Sequence, residues 1–301
     1  MNEPIKYIKK VEIKNLWGRY DLEWNLDPSV NVLSGINGSG KSTILNAIFW
    51  GICLKDAILE NIGTKVKGVT VIFNNTEKLS KQSLIEERNV ELRDFDLALL
   101  KNIKIDFLNT FDSEISVYAA PNEKVKTVLD KEIFELQRQY LDYQLTIGKR
   151  VFELLAKKES SENIIKIQST HERFLDIIDL LFEFSGKYID RNSNELIFLS
   201  GKDRLTPYQL SSGEKQIIVI LLTVLVQDNK PAILFMDEPE ISLHIDWQRK
   251  LIQYIKELNP NVQIILATHS PGIILEGWAD KVFEVSDLIT LDRQAIPEDA
   301  K

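Results

Sequence analysis

Gly35-Ile36-Asn37-Gly38-Ser39-Gly40-Lys41-Ser42-Thr43 is the stretch on which the reading of this chain turns. It fits the pattern G-x-x-x-x-G-K-[ST], and its surroundings fit as well. Residues 31–33 read as a buried strand leading into the loop, and a helix is expected from Ser42 to Trp50. The chemistry explains the residue types. Glycines let successive backbone N–H groups wrap a phosphate chain, and the following helix N-terminus adds a favourable dipole. Lys41 is placed to meet the β- and γ-phosphates of a bound ATP, and the Ser42 hydroxyl can ligate Mg2+. Gly35, Asn37, Gly38, Ser39, Gly40, Lys41, Ser42 and Thr43 are therefore the expected nucleotide cradle.

Working outward, a second element fits the first. In Ile233-Leu234-Phe235-Met236-Asp237-Glu238 four apolar residues of a buried strand end in two carboxylates. Behind a phosphate-binding loop this is the form of a Walker B strand: Asp237 holds magnesium, usually through water, and Glu238 is placed to orient or deprotonate an attacking water. A third stretch, Leu210-Ser211-Ser212-Gly213-Glu214-Lys215-Gln216, precedes a strongly apolar helix. By itself it reads as a helix N-cap with a glutamate in the first turn.

The position of that third stretch, between the other two, makes the chain resemble the ABC ATPase superfamily, whose signature motif has this form and this place. The resemblance continues into Pro239-Glu240-Ile241-Ser242-Leu243-His244, similar to the D-loop region, and into Thr268-His269-Ser270-Pro271 behind the apolar strand 262–267. It spans roughly residues 5–118 and 187–285. It implies a P-loop NTPase head of α/β class with a β-rich lobe and a compact helical insertion. It also implies ATP with Mg2+ as cofactors and His269 as a switch histidine at the γ-phosphate. Ser211 and Gly213 would cap the ATP held by a second copy, so that two chains complete each other's sites head to tail. Glu238, His269 and Lys41 would then be the catalytic set. Within the superfamily the Ser-Ser-Gly-Glu, Asp-Glu-Pro-Glu and Ser-Leu-His stretches resemble the SMC, RecF and OLD-like branch, and in particular small stand-alone ATPases of bacterial anti-phage systems, AriA-like in PARIS and PtuA-like in Septu. Two positions depart from the family pattern. No Q-loop glutamine is identified, since Gln82 reads as part of a polar loop and Asn109-Thr110-Phe111-Asp112 contains none, and Ser212 stands where many signatures have glycine.

The remaining sequence supplies the frame. Short β-branched runs at 7–16, 20–24, 66–74, 90–92 and 103–107 make a β-rich first part to about residue 120. From residue 123 the texture is helical. Leu129, Ile133, Leu136, Tyr140, Tyr143 and Ile147 recur at steps of four and three, the seam of a helix packed on a helix. Gly148 is expected to interrupt it, with further helices at 151–155 and 164–184, and 187–190 with 195–199 read as a hairpin. Three segments result: 1–120 with the phosphate loop, 121–186 as a helical insertion, and 187–301 with the signature, Walker B, D-loop and histidine.

Composition narrows the partners. With 301 residues, 44% hydrophobic content and a net charge of −8, the chain can bury a large core but is not coated in basic surface, so nucleic-acid contact is expected only through a local groove. Lys149, Arg150, Lys157 and Lys158 form a modest basic cluster, read as ordinary surface or as a nucleic-acid or partner contact. One cysteine, Cys53, fits a reducing cytosol, and no apolar run has the roughly 20 residues of a membrane crossing. The first ten residues are unlike a signal peptide. The expectation is a cytoplasmic ATP-hydrolysing switch that assembles with itself and controls a separately encoded effector. A RecF-like DNA repair ATPase, an ABC transporter subunit and an ATP-locked scaffold stand as alternatives. The 170 positions from Lys41 to Ser211 are long for a transporter subunit.

Overall fold

The computed structural model describes residues 3–53, 62, 65–84, 89–93, 100–109, 113–114 and 122–293. In chain order the elements are β1 (Ile8–Leu16), β2 (Tyr20–Asn25), β3 (Val30–Ser34), α1 (Lys41–Ile52), β4 (Gly68–Phe73), β5 (Lys78–Leu84), β6 (Asn89–Arg93) and β7 (Lys104–Asn109). There follow α2 (Val128–Ala156), α3 (Ser161–Phe182), β8 (Lys187–Ile189), β9 (Phe198–Ser200), β10 (Asp203–Leu205), α4 (Ser212–Leu225) and β11 (Ala232–Asp237). The chain closes with α5 (Ile245–Leu258), β12 (Val262–Ala267), α6 (Pro271–Leu275), β13 (Val282–Glu284) and β14 (Ile289–Asp292).

Two units emerge, one of residues 1–109, 230–239 and 261–301, the other of 110–229 and 240–260. The first holds two sheets. One is antiparallel, in the order β14-β2-β1-β4-β5-β6; the other runs β13-β3-β12-β11-β7 with every recorded pairing parallel. Helix α1 packs against strands of both. Its apolar residues Ile44, Leu45, Ala47, Ile48 and Trp50 are accordingly buried almost all round, as a helix covered by two layers requires. Strands β11 and β12 are buried along nearly their whole length, which is why they read as continuous apolar runs rather than alternating ones.

The second unit packs α4 against α2, α3 and α5, beside the small antiparallel sheet β10-β9-β8. Every residue of α4 from Glu214 to Leu225 is buried. Strands β8 and β9 form the expected hairpin, with Lys187 opposite Ser200 and Ile189 opposite Phe198. Phe182 joins α3 to this sheet and to α5, its ring centroid 5.6 Å from Phe198 and 5.9 Å from Trp247.

Three expectations need correction. Gly148 interrupts nothing: α2 is one helix of 29 residues, about 44 Å long, that absorbs both the expected break and the separate stretch at 151–155. A glycine inside a helix costs only about 1 kcal/mol relative to alanine, which a seam of buried apolar side chains outweighs. Gln82 lies in β5, paired with Gly68 and Glu91, and not in a polar loop. Arg150 is no free member of a basic cluster, because its guanidinium makes a two-pronged ion pair with Asp228. Residues 110–112, weighed for the missing glutamine, lie outside the described residues.

Candidate active site

The parallel register sets Leu33 beside Ala267 and Ala267 beside Asp237, so β3, β12 and β11 end side by side. Ligands of open α/β sheets bind at such carboxyl ends. From β3 the chain passes through Gly35–Gly40 into α1. Gly40 stands at the N-cap with φ 96°, a left-handed conformation, and a Cβ there would lie 1.8 Å from the Trp17 ring. Trp17 therefore sits on the loop, a contact that spacing in the sequence does not reveal. No side chain caps α1 and no acid lies in its first turn, the local form of a helix start that can receive an external anion. Asn37 and Gly38 form the exposed tip of the loop and Thr43 is half-buried. The buried hydroxyl of Ser39 has no hydrogen-bond partner among the described residues.

Lys41 is buried, and its ammonium donates to the carbonyls of Gly35 at 3.1 Å and Ile36 at 3.4 Å. It also touches Nε2 of His269. An ammonium can only donate, so Nε2 takes the acceptor role in that contact. The Ser42 hydroxyl donates to Oδ1 of Asp237 at 3.0 Å. Glu238 holds φ 48°, unusual for a residue with a side chain, while its N–H donates to the Ala267 carbonyl at 2.9 Å. Its Oε1 lies 3.8 Å from Nε2 of His269. Thr268 is tied to the same sheet by its N–H to the Leu33 carbonyl, and Ser270 caps α6 by accepting from Gly272 and Ile273. Lys41, Ser42, Asp237, Glu238 and His269, drawn from three distant stretches, thus meet in one place.

Ser211 and Gly213 lie in the second unit, at the start of α4. Ser211 is the N-cap: its Oγ accepts from the Glu214 N–H, and the Glu214 carboxylate accepts in return from the Ser211 N–H at 2.9 Å. The other oxygen of Glu214 accepts from Lys187 at 2.7 Å and Ser185 at 2.9 Å. Burial would raise the pKa of Glu214, but the hydrogen bonds from Lys187, Ser211 and Ser185 outweigh it and hold the carboxyl below its usual range. A Cβ on Gly213 would stand 2.3 Å from the Ser242 carbonyl oxygen, so glycine is what lets the 240–243 turn approach. That turn is clamped by Gln248, whose amide donates to the Leu243 carbonyl at 2.8 Å. Trp17, Lys187 and Gln248 escape a reading by motif because their signal is tertiary proximity. His244 is a helix cap, its Nδ1 accepting from the Asp246 N–H at 3.4 Å.

With this geometry in view, the chain's relatives can be placed. A family model described as "AAA domain, putative AbiEii toxin, Type IV TA system" matches residues 74–276. The Septu protein PtuA of Bacillus thuringiensis is 25% identical, over 97% of this chain and 77% of its own length. The "Retron Vc95 probable ATPase" of Vibrio cholerae is also 25% identical, over 55% of this chain, which spans only 35% of that relative. Among solved structures, an SMC head bound to the C-terminal winged-helix domain of ScpA superposes with a TM-score of 0.58 at 19% identity, covering 90% of this chain and 91% of that one. The SMC head domain from Thermotoga maritima gives 0.51 at 18%, covering 92% and 94%. The chain belongs to the AAA-domain family so described. Its fold is that of an ABC-type P-loop ATPase head, and it is an ATPase similar to the Septu protein PtuA and to the probable ATPase of a retron. No described helix is long and apolar enough to cross a membrane.

Proposed function

We propose that this ATPase is a nucleotide-driven switch that hydrolyses Mg-ATP slowly, closes by sandwiching ATP between two copies, and passes its state to a separately encoded effector in a bacterial anti-phage system. The observation that carries the reading is the convergence of Lys41, Ser42, Asp237, Glu238 and His269 at the joined ends of β3, β11 and β12.

The residues fit the group they would hold. The α1 N-terminus has no side-chain cap, Ser39 Oγ is buried without a partner, and Ser42 and Asp237 present hard oxygens 3.0 Å apart. Ser42 and Asp237 would hold magnesium, which when bound screens phosphate charge and polarises the γ-phosphoryl group. The chain's own residues supply the rest. Lys41 exchanges its loop carbonyls for phosphate oxygens. Glu238, which holds φ 48° just past the end of β11, accepts the proton of the attacking water. His269 contacts the γ-phosphate and reports its presence. Ser211 and Gly213 cap the nucleotide of the partner copy with the N-terminus of α4, which supports an obligate assembly.

In this reading residues 1–120 and 187–301 are the two ATPase parts, and 121–186 is the insertion that meets the effector. The likeness to PtuA over nearly the whole chain supports the defence role, because PtuA is named for the Septu system. Two variants test the switch. Glu238→Gln keeps shape and loses the base, so turnover should fall by about 10²–10⁴-fold with Mg-ATP binding retained. Ser211→Arg should bind nucleotide but not turn it over, and mixing it with Lys41→Ala should restore turnover in the heterodimer. Wild-type turnover by the first, or no recovery in a verified heterodimer of the second, overturns the respective role. Deleting the neighbouring gene in the native host should abolish phage protection; undiminished protection removes the effector from the scheme.

A further inference from the structure

Helix α2 carries two apolar seams, and only one is used within the chain. Leu129, Ile133, Leu136, Tyr140 and Tyr143 are buried inside the second unit. About a quarter turn away, Leu141, Leu145, Gly148, Phe152 and Leu155 repeat the same steps of four, three, four and three, facing solvent. Leu145 and Phe152 are each 72% exposed, Leu155 58% and Leu141 37%. With Gln144, Lys149 and Asn194 the first four line a groove of about 610 Å³. Single exposed apolar residues are ordinary, but a heptad-spaced row of them over four turns is the pattern of a helix that packs on another helix.

We infer that this row is an interface with a second copy of the chain, the two α2 helices packing antiparallel about a twofold axis, apart from any ATP-dependent contact. Three features select this occupant. Four of the five are self-complementary: in an antiparallel pair residue n faces residue 293 − n, so Phe152 meets Leu141, and Leu145 meets Gly148, in both halves, while Leu155 lies at the end of the row opposite Arg138. Gly148 has no neighbour within 4 Å of where its Cβ would be, so nothing inside the chain calls for a glycine there. The Leu145 of a second copy does, because it needs that space. A parallel pair would instead set Gly148 against Gly148 and leave a void. Finally the charges match. Asp142 and Lys149, both exposed, flank the row so that the Asp142 of one copy falls beside the Lys149 of the other, twice about the axis.

A helix pair of this length buries about half of a standard interface of ~1,600 Å², so the contact alone is expected to be weak, forming at about 10–100 μM chain. Cross-linking of the full chain without nucleotide is the suitable measurement, in a Cys53→Ser background that removes the single native thiol. Leu141→Cys mixed with Phe152→Cys should give disulfide-linked dimers at about ten times the yield of either alone, since two copies of Leu141 lie some 16 Å apart along an antiparallel pair while a disulfide needs Cα atoms within about 7 Å. Asp142→Lys should cut the yield about fivefold, and adding Lys149→Asp should restore it. A mixture that links no better than the single variants, a yield equal in all three, or failure of the double charge exchange to restore it overturns the proposal. So does a link that forms only with ATP, which would assign the contact to nucleotide-driven closure. Loss of ATP turnover with the link intact would instead count against the proposed function alone.

Discussion

Two helices of this molecule begin in different ways. Helix α1 starts after a glycine loop with no side-chain cap and no acid in its first turn. Helix α4 starts with a reciprocal cap between Ser211 and Glu214, reinforced by Lys187 and Ser185. The same four leading N–H groups exist in both. In α1 no side chain caps them, and the nearby side chains, Lys41 on His269 and Ser42 on Asp237, hold one another in place. In α4 Ser211 takes the Glu214 N–H and the Glu214 carboxylate returns the bond, so the helix start is held by its own residues. Under the proposed function, a nucleotide-gripping helix start is built by omission and a presenting one by completion.

The largest effect separating the two is expected on stability. Glu214→Ala removes the acceptor of Lys187 and the reciprocal half of the Ser211 cap, and should destabilise the fold by about 3–5 kcal/mol, as when one partner of a buried ion pair is deleted. Lys187→Met with Glu214→Met should cost clearly less than the single change, because no charge is then stranded. Urea unfolding of the three proteins measures this, and a single change costing under about 1 kcal/mol would show that α4 does not depend on its internal cap. Because the Glu214 pKa is held below its usual range, the contribution is present above about pH 4.5 and is lost as pH falls through the folded value.

A smaller effect should appear at milder pH. His171 sits between α2 and α3 with Nε2 2.8 Å from the Tyr140 hydroxyl, and burial pushes its pKa down while pushing that of Tyr140 up to about 12. The folded chain then takes up the imidazole proton less readily than the unfolded one, so stability is full above about pH 6.5 and declines as pH falls toward the folded value. His171→Gln should flatten the change in urea midpoint between pH 7.5 and 5.5. An unchanged slope in that variant would place the acid sensitivity elsewhere in the chain.

The parts of this molecule legible from sequence are those whose signal is local. The phosphate loop, the apolar run into Asp237-Glu238 and the β8–β9 hairpin each occupy a short continuous stretch, and the local residue pattern sets their form. The α2 seam was equally legible to Ile147, but its continuation was not, because a single glycine is a strong punctuation mark in a sequence and a weak one in a packed helix. Gln82 reads as loop in the sequence because Lys78, Ser80, Lys81, Gln82 and Ser83 are polar on both faces of what is a strand near the sheet edge. Trp17 on Gly40, Lys187 on Glu214 and Gln248 on the 240–243 turn join residues 5 to 27 positions apart through tertiary approach, and no spacing rule encodes them.

The smallest expected effect sharpens the comparison of glycines. At Gly40 and Gly213 a Cβ would collide, with the Trp17 ring in one case and with the Ser242 backbone in the other, and Gly40 also holds a left-handed φ. At Gly148 neither reason applies: the backbone is helical and the space is open. Gly148→Ala should therefore stabilise the chain by about 0.5–1 kcal/mol through the lower entropy of the unfolded state, raising Tm by about 1–2 °C in a scanning calorimeter. The same methyl group should occupy the space that Leu145 of a second copy is expected to enter, so the Leu141→Cys with Phe152→Cys cross-link should weaken as the folded chain gains stability. A gain in both would mean that the two helices do not meet at this point. A loss of stability would mean that Gly148 relieves strain within α2, and its exposed row would then lose the argument that its glycine exists for a neighbour.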